Sequence, residues 1–169
     1  MKVTVMKENE YLPEKYSKYA SDRYKNGDNP IVSFPIQFKD IPEGTKSLAL
    51  TFVDHDAIPV CGFTWIHWLA CNINPSTDRL QENMSQKNTL GIVQGQNSFA
   101  SPFVGNTDIN VIHRYVGPTP PDRDHVYTLT VYALDKVLDL KEGYLLNDFY
   151  KEIEGHVISD VSENILAKK

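Results

Sequence analysis

Apolar and polar positions alternate most cleanly in two stretches of the chain, and these set the expected architecture. In Ser47–Val53, Leu48, Leu50 and Phe52 fall on one face of an extended strand and Ala49, Thr51 and Val53 on the other, because successive strand side chains point in opposite directions. Charge ends this strand at Asp54, His55 and Asp56, and Pro59 and Gly62 supply a turn. A partner strand is predicted over Trp65–Ala70, where alternation puts Trp65, His67 and Leu69 on one face. The second stretch, Tyr115–Leu134, opens on a loop with Gly117, Pro118, Pro120 and Pro121, and the fixed φ of each proline makes it stiff. The strand that follows places His125, Tyr127, Leu129 and Val131 on one face and Val126, Thr128, Thr130 and Tyr132 on the other.

Weaker patterns surround these strands. Met1–Met6 alternates briefly, and the tyrosine-rich Tyr11–Tyr24 reads as loop or a single helical turn, since Pro13 opposes a long helix. Pro35 interrupts Ile31–Phe38, which is therefore expected as an edge strand or an extended segment. The chain after Ala70 is irregular for about 40 residues, with Gly91 and Gly95 read as turn glycines because no Gly-Lys-Ser/Thr follows them as in a phosphate-binding loop. Near the end, Phe149 and Ile153 are four apart, with Leu145, Leu146 and Tyr150 nearby, which predicts a helix with Gly155 as its C-terminal cap. His156, Val157, Ile158, Val161 and Ile165 suggest a second short helix, and Ala167–Lys169 a solvated end. Phe52, Trp68 and Tyr132 read as core.

Composition narrows the function. A chain of 169 residues suits one packed domain. With 17 basic and 22 acidic residues scattered throughout, the net charge of −5 argues against nucleic acid as a partner. No apolar run reaches the roughly 18 residues of a membrane span, and the N-terminal MKVTVMKENE has no apolar signal core, so a cytoplasmic protein is expected. Cys61 and Cys71 form neither a CxxC pair nor a Cys/His cluster and read as reduced thiols.

The ordered motifs DHDAIP, WIHW, GPTPP followed by HVY, VYALD and GHVI resemble the phosphatidylethanolamine-binding protein family in its bacterial and archaeal branch, over about Leu12 to Ile158. Members of that branch are often labelled Raf-kinase-inhibitor-like. The resemblance implies a mainly β fold, a large antiparallel sheet packed on a smaller one, with a few peripheral helices including C-terminal ones. It also implies a small anion-binding pocket at one end. Carried over position by position, the ligand-binding residues are Asp54, Asp56, Trp65, His67, Thr119, Pro120, Pro121, His125 and Tyr127. Gly117 opens the same loop, and His156 corresponds to a structural position. This chain departs from the family at His55, which stands where a proline is usual between the two acids, at the extra Ile58, in the short link from Pro121 to His125, and in having no tyrosine after Tyr150 to close the pocket in the animal manner.

The residue types fit such a pocket. Two imidazoles and a phenol can donate to anion oxygens, while Asp54 orients a histidine or accepts from a donor on the ligand; Asp56 either shares that role or braces its loop. If His67 or His125 protonates as an anion binds, affinity rises as pH falls through the histidine range. A non-enzymatic binding protein for small anionic or phosphorylated ligands is therefore expected, with no cofactor, existing as monomer or homodimer, and regulating or inhibiting a kinase or protease partner. The alternative is a metal-dependent hydrolase using Asp54, His67 and His125, although no HExxH pair or GxSxG elbow is present. A protease inhibitor acting through an exposed loop is the third class.

Overall fold

Ser47–Asp54 becomes the middle strand of the larger sheet because both of its faces are apolar and all eight residues are buried. The computed structural model describes residues 1–169. In chain order the strands are β1 (Lys2–Val5), β2 (Lys25–Asn26), β3 (Asn29–Pro30), β4 (Ile36–Lys39), β5 (Ser47–Asp54), β6 (Trp65–Ile73), β7 (Arg79–Leu80), β8 (Val93–Gln94), β9 (His125–Leu134) and β10 (Val157–Ala167). Helices are short: α1 (Ile58–Cys61), α2 (Met84–Lys87), α3 (Ile109–Ile112) and α4 (Leu146–Ile153). The five-stranded antiparallel sheet runs β10-β9-β5-β6-β8, the smaller sheet runs β1-β4-β7, and β2 pairs with β3.

The two faces of the large sheet bury different partners. Leu48, Leu50, Phe52, Leu129 and Val131 meet Val3, Ile36, Phe38 and Leu80 of the smaller sheet in one cluster, while Ala49, Leu69 and Cys71 pack under Phe149 and Ile153 of α4 in another. Each large side chain buried this way contributes about 1.5–3 kcal/mol. The α4 helix ends where expected, with Gly155 at φ +76° just past it. No helix is long and apolar enough to cross a membrane.

Four local expectations change. Val157–Ala167 is not a helix but the outermost strand, paired with β9 from Val157↔Leu134 to Ala167↔His125. Val161 and Ile165 are four apart, an interval that fits a helix face and a strand face equally, and the β-branched side chains favour the strand. The same strand takes in and buries Ala167, expected in solvent. Pro35 does not mark a sheet edge: the chain is irregular up to it, and β4, which starts at Ile36, is the middle strand of the smaller sheet. Gly91 is a turn glycine at φ +64°, whereas Gly95 is a packing position, where a Cβ would lie 2.9 Å from Leu69.

The fourth change concerns the strand that carries His67. Phe52 pairs with Trp68 but Val53 with Ile66, so His67 is an extra residue in a β-bulge. The bulge turns His67 and Trp68 toward the same face, against Phe52, and Leu69 goes to the helix side. Alternation across Trp65–Leu69 therefore fails at one residue, and that residue is an imidazole.

The stiff loop before β9 is pinned on the N-terminal segment, whose polar stretch forms turns at Glu14–Tyr16 and Asp22–Tyr24. Val116 N–H donates to the His67 carbonyl (3.1 Å), Gly117 N–H to Pro30 (2.8 Å) and Lys18 N–H to Pro118 (2.9 Å). At Gly117 the backbones approach so closely that a Cβ would stand 2.1 Å from the Tyr16 carbonyl oxygen. Gly117→Ala should therefore destabilise the protein by about 2–3 kcal/mol, read as a lowered midpoint in urea denaturation.

Candidate functional site

Where β5 ends and β9 begins, a cavity of about 160 Å³ opens at one end of the sheets. It gathers Asp54, Trp65, His67, Thr119, Pro120, Pro121, His125 and Tyr127 from three separate stretches of sequence. Asp56 does not line it. Its carboxylate accepts from Val126 N–H (2.9 Å) and faces Arg123 (3.4 Å), so it braces the loop against the start of β9. That hydrogen bond first, and then Arg123, hold the Asp56 carboxyl below the usual carboxylate range. His55 also stays outside, with Nδ1 3.0 Å from Thr64 Oγ1.

Three lining residues had no assigned role in the sequence: Ala57, Val60 and Cys61, which follow Asp56 and form the start and body of the short α1 cover. The signal for them was their position inside the turn between the two strands. The Cys61 thiol donates within this turn to the carbonyls of Ala57 and Phe63, both at 3.3 Å. Trp65 forms a wall, stacked with Phe63 at 5.9 Å between ring centres and meeting Phe99 edge-on at 5.3 Å.

The two histidines differ in proton affinity, and their surroundings say why. His67 is 3% exposed, and its Nδ1 lies 2.7 Å from the Val116 carbonyl, which can only accept; Nδ1 therefore carries the proton. Burial pushes its pKa down to about 4, outweighing the opposing pull of that carbonyl and of Asp54, so the ring is neutral at physiological pH. Nε2 has no protein partner, and it is not among the sealed polar atoms of the interior, so it opens to the cavity as an acceptor.

His125 is 1% exposed and lies between two carboxylates, with Nδ1 2.7 Å from Asp54 and Nε2 2.8 Å from Asp122. Both partners accept, so both ring nitrogens donate. Burial opposes the charge, but Asp54 and Asp122 together raise the pKa above its ordinary value of 6.5. Asp54 is itself fixed, with its other oxygen accepting from Ala57 N–H at 3.2 Å. Tyr127, which packs against both imidazoles, is held protonated by burial and then by the neighbouring Asp54 carboxylate. The expectation of two imidazole N–H groups free for a ligand is thus corrected: one ring offers an acceptor, and the other has both donors occupied. Asp122, which sequence reasoning passed over, is the residue that completes the second ring, three positions before it.

The same geometry bears on the metal alternative. Asp54 and His125 bond to each other, His67 is tied to Val116, and no three His, Cys, Asp or Glu side chains are grouped to hold a metal ion.

A two-sheet β protein with a small pocket of buried acid, imidazole and aromatic groups at the sheet end is the class that fold and site define. Residues 2–164 match the family model described as phosphatidylethanolamine-binding protein, and the chain belongs to that family. It is 58% identical over 160 residues to the Bacillus subtilis protein YxkA, covering 95% of each chain. It is 37% identical over 146 residues to a UPF0098 protein of Methanothermobacter thermautotrophicus, covering 85% of this chain and 83% of that one. Among solved structures, a phosphatidylethanolamine-binding protein homologue from Chlamydia trachomatis superposes with a TM-score of 0.74 at 30% identity, over 94% of this chain and 90% of that chain. E. coli YbcL, at 24% identity and a TM-score of 0.76 over 99% and 97% of the two chains, shares the fold.

The neutral state of His67 has a consequence for stability. Between the unfolded-state pKa of 6.5 and the folded value of about 4, the unfolded chain binds the proton and the folded one does not, so stability falls as pH drops through this window. The loss attributable to this ring reaches about 3 kcal/mol. Urea denaturation of wild type and His67→Asn, at pH values from 7 to 4, should show the wild type losing about that much more.

Proposed function

We propose that the protein is a non-enzymatic binder of small anionic groups, a phosphoryl or carboxylate head presented alone or on a larger molecule. The observation that carries this reading is the pairing, on the walls of one cavity, of an imidazole held between two carboxylates with a neutral one whose free nitrogen accepts. Once one of its carboxylate partners gives way, a His125 ring N–H can donate to a ligand oxygen, while a hydroxyl or a protonated phosphate oxygen donates to His67 Nε2. A monoprotonated phosphate ester carries both kinds of group. At about 160 Å³ the cavity suits a head group, with the rest of a larger ligand outside.

Binding without turnover is favoured by the state of the candidate nucleophiles. The Cys61 thiol is engaged by carbonyl oxygens, and the Tyr127 phenol is held protonated. A protein partner regulated through this pocket, a kinase or a protease, would present a phosphorylated or acidic segment to it. We place the protein in a reducing cytoplasm, where its two free cysteines stay thiols.

Calorimetric titration with acetate, inorganic phosphate and phosphoethanolamine tests this directly. His125→Gln should weaken every one of them by about tenfold or more, the equivalent of roughly 1.4 kcal/mol. Acetate does not titrate near neutrality, so its affinity should fall as pH rises through the elevated His125 pKa. Saturable binding that ignores the His125 substitution, or none by any of the three anions, would overturn the proposal.

A further inference from the structure

The two carboxylates on His125 are not equivalent. Asp54 is 4% exposed and locked by Ala57 N–H, whereas Asp122 is 43% exposed and meets the imidazole at 2.8 Å and Arg123 at 3.7 Å. The loop around Asp122 is anchored on both sides of it. Pro120 accepts from Lys18 Nζ (2.8 Å), and Asp124 accepts from Tyr11 OH (2.7 Å) and Lys169 N–H (2.9 Å). A rotation of the Asp122 side chain alone is therefore enough to release His125 Nε2 while the backbone stays in place.

Of the two His125 donors, Nε2 is the one whose partner is exposed and free to turn away, and Asp122 already offers it an oxyanion. We propose that Asp122 is an internal competitor for the ligand, a specificity-determining residue whose carboxylate occupies the ligand's place on His125 and must be exchanged for it. This inference rests on the anion-binding reading above. Its physical basis is charge balance and proximity. Asp54, Asp56 and Asp122 surround one imidazolium and one guanidinium, so an added anion would enter an already negative site, whereas exchange of Asp122 for a ligand oxygen leaves the charge beside His125 unchanged. The hydrogen bond from His125 also keeps the Asp122 carboxyl below the usual carboxylate range, so the competitor is always ionised near neutral pH.

Selectivity follows from the exchange. Tethering three residues from His125 gives Asp122 a high effective concentration. A simple carboxylate offers His125 nothing that Asp122 does not, and it binds poorly. A phosphate monoester, which also reaches His67 Nε2, gains a contact that Asp122 lacks, and it displaces Asp122.

The test is calorimetry at about pH 6, on the acid side of the raised His125 pKa of the wild type, using acetate and phosphoethanolamine on wild type, Asp122→Ala and the isosteric Asp122→Asn. Acetate affinity should rise about tenfold or more in Asp122→Ala, with Asp122→Asn in between, and the preference for phosphoethanolamine over acetate should shrink. Histidine ring NMR gives a second readout: acetate should displace the Asp122 contact in wild type and shift the Nε2 resonance of His125, and the same final shift should appear at lower acetate concentration in Asp122→Ala. Binding that is equal or weaker in both variants, with wild type still binding through His125, overturns the competitor role and leaves the anion-binding function standing. Absence of His125-dependent binding in all three proteins overturns both.

Discussion

The hydrogen bond between Asp54 and His125 joins the last residue of β5 to the first residue of β9, and the site depends on it. Taking a carboxylate and an imidazolium out of water is costly unless every lone pair and proton finds a partner. Here Asp54 has both the imidazole and Ala57 N–H, and His125 has a carboxylate on each nitrogen. The strand pairing sets the reach: Asp54 stands opposite Tyr127 on β9 and opposite Trp65 on β6, so one residue at the end of the central strand touches both walls. Removing either member would strand the other in the interior, a loss of several kcal/mol.

Behind this pair the support is aromatic. Phe52 lies 5.6 Å from Tyr127 and 5.8 Å from His67 between ring centres, and Tyr115 stacks on Phe52 at 6.1 Å. Tyr115 donates its hydroxyl to the Tyr16 carbonyl at 2.7 Å, which ties the buried cluster to the segment that also receives Gly117. The rings leave the imidazoles little freedom to move, so their hydrogen-bonding directions are set before a ligand arrives. The different proton affinities of the two histidines come from this construction: both rings are closed to bulk solvent, but His67 is the more deeply embedded and has a single carbonyl on it, while two carboxylates flank His125.

Much of this was legible in the sequence because local chemistry and tertiary role coincide. Strict alternation marked β5 and β9, the proline-rich loop marked a rigid connection, and the motifs around Asp54, His67 and His125 pointed to one pocket. What escaped has identifiable causes. The bulge at His67 leaves no trace in residue types, because it is a matter of register between two strands. The final strand was hidden by an interval of four shared by both periodicities. Asp56 and Asp122 are both acids beside the motif histidine, and only coordinates separate the one that bonds a backbone amide from the one that bonds the ring. Hydrogen-bond assignments of this kind are set by fractions of an ångström, which sequence patterns do not encode.

The order in which the chain is made gives the Asp54–His125 pair a temporal side. The two residues are 71 positions apart, so at the usual 5–20 residues per second of translation the acid is synthesised about 4–14 s before its imidazole. During that interval β5 can pair with β6 but exposes its other edge, the one that β9 will cover. Nascent chains of this protein therefore carry an open, apolar strand edge for seconds, an edge that the finished fold covers with β9.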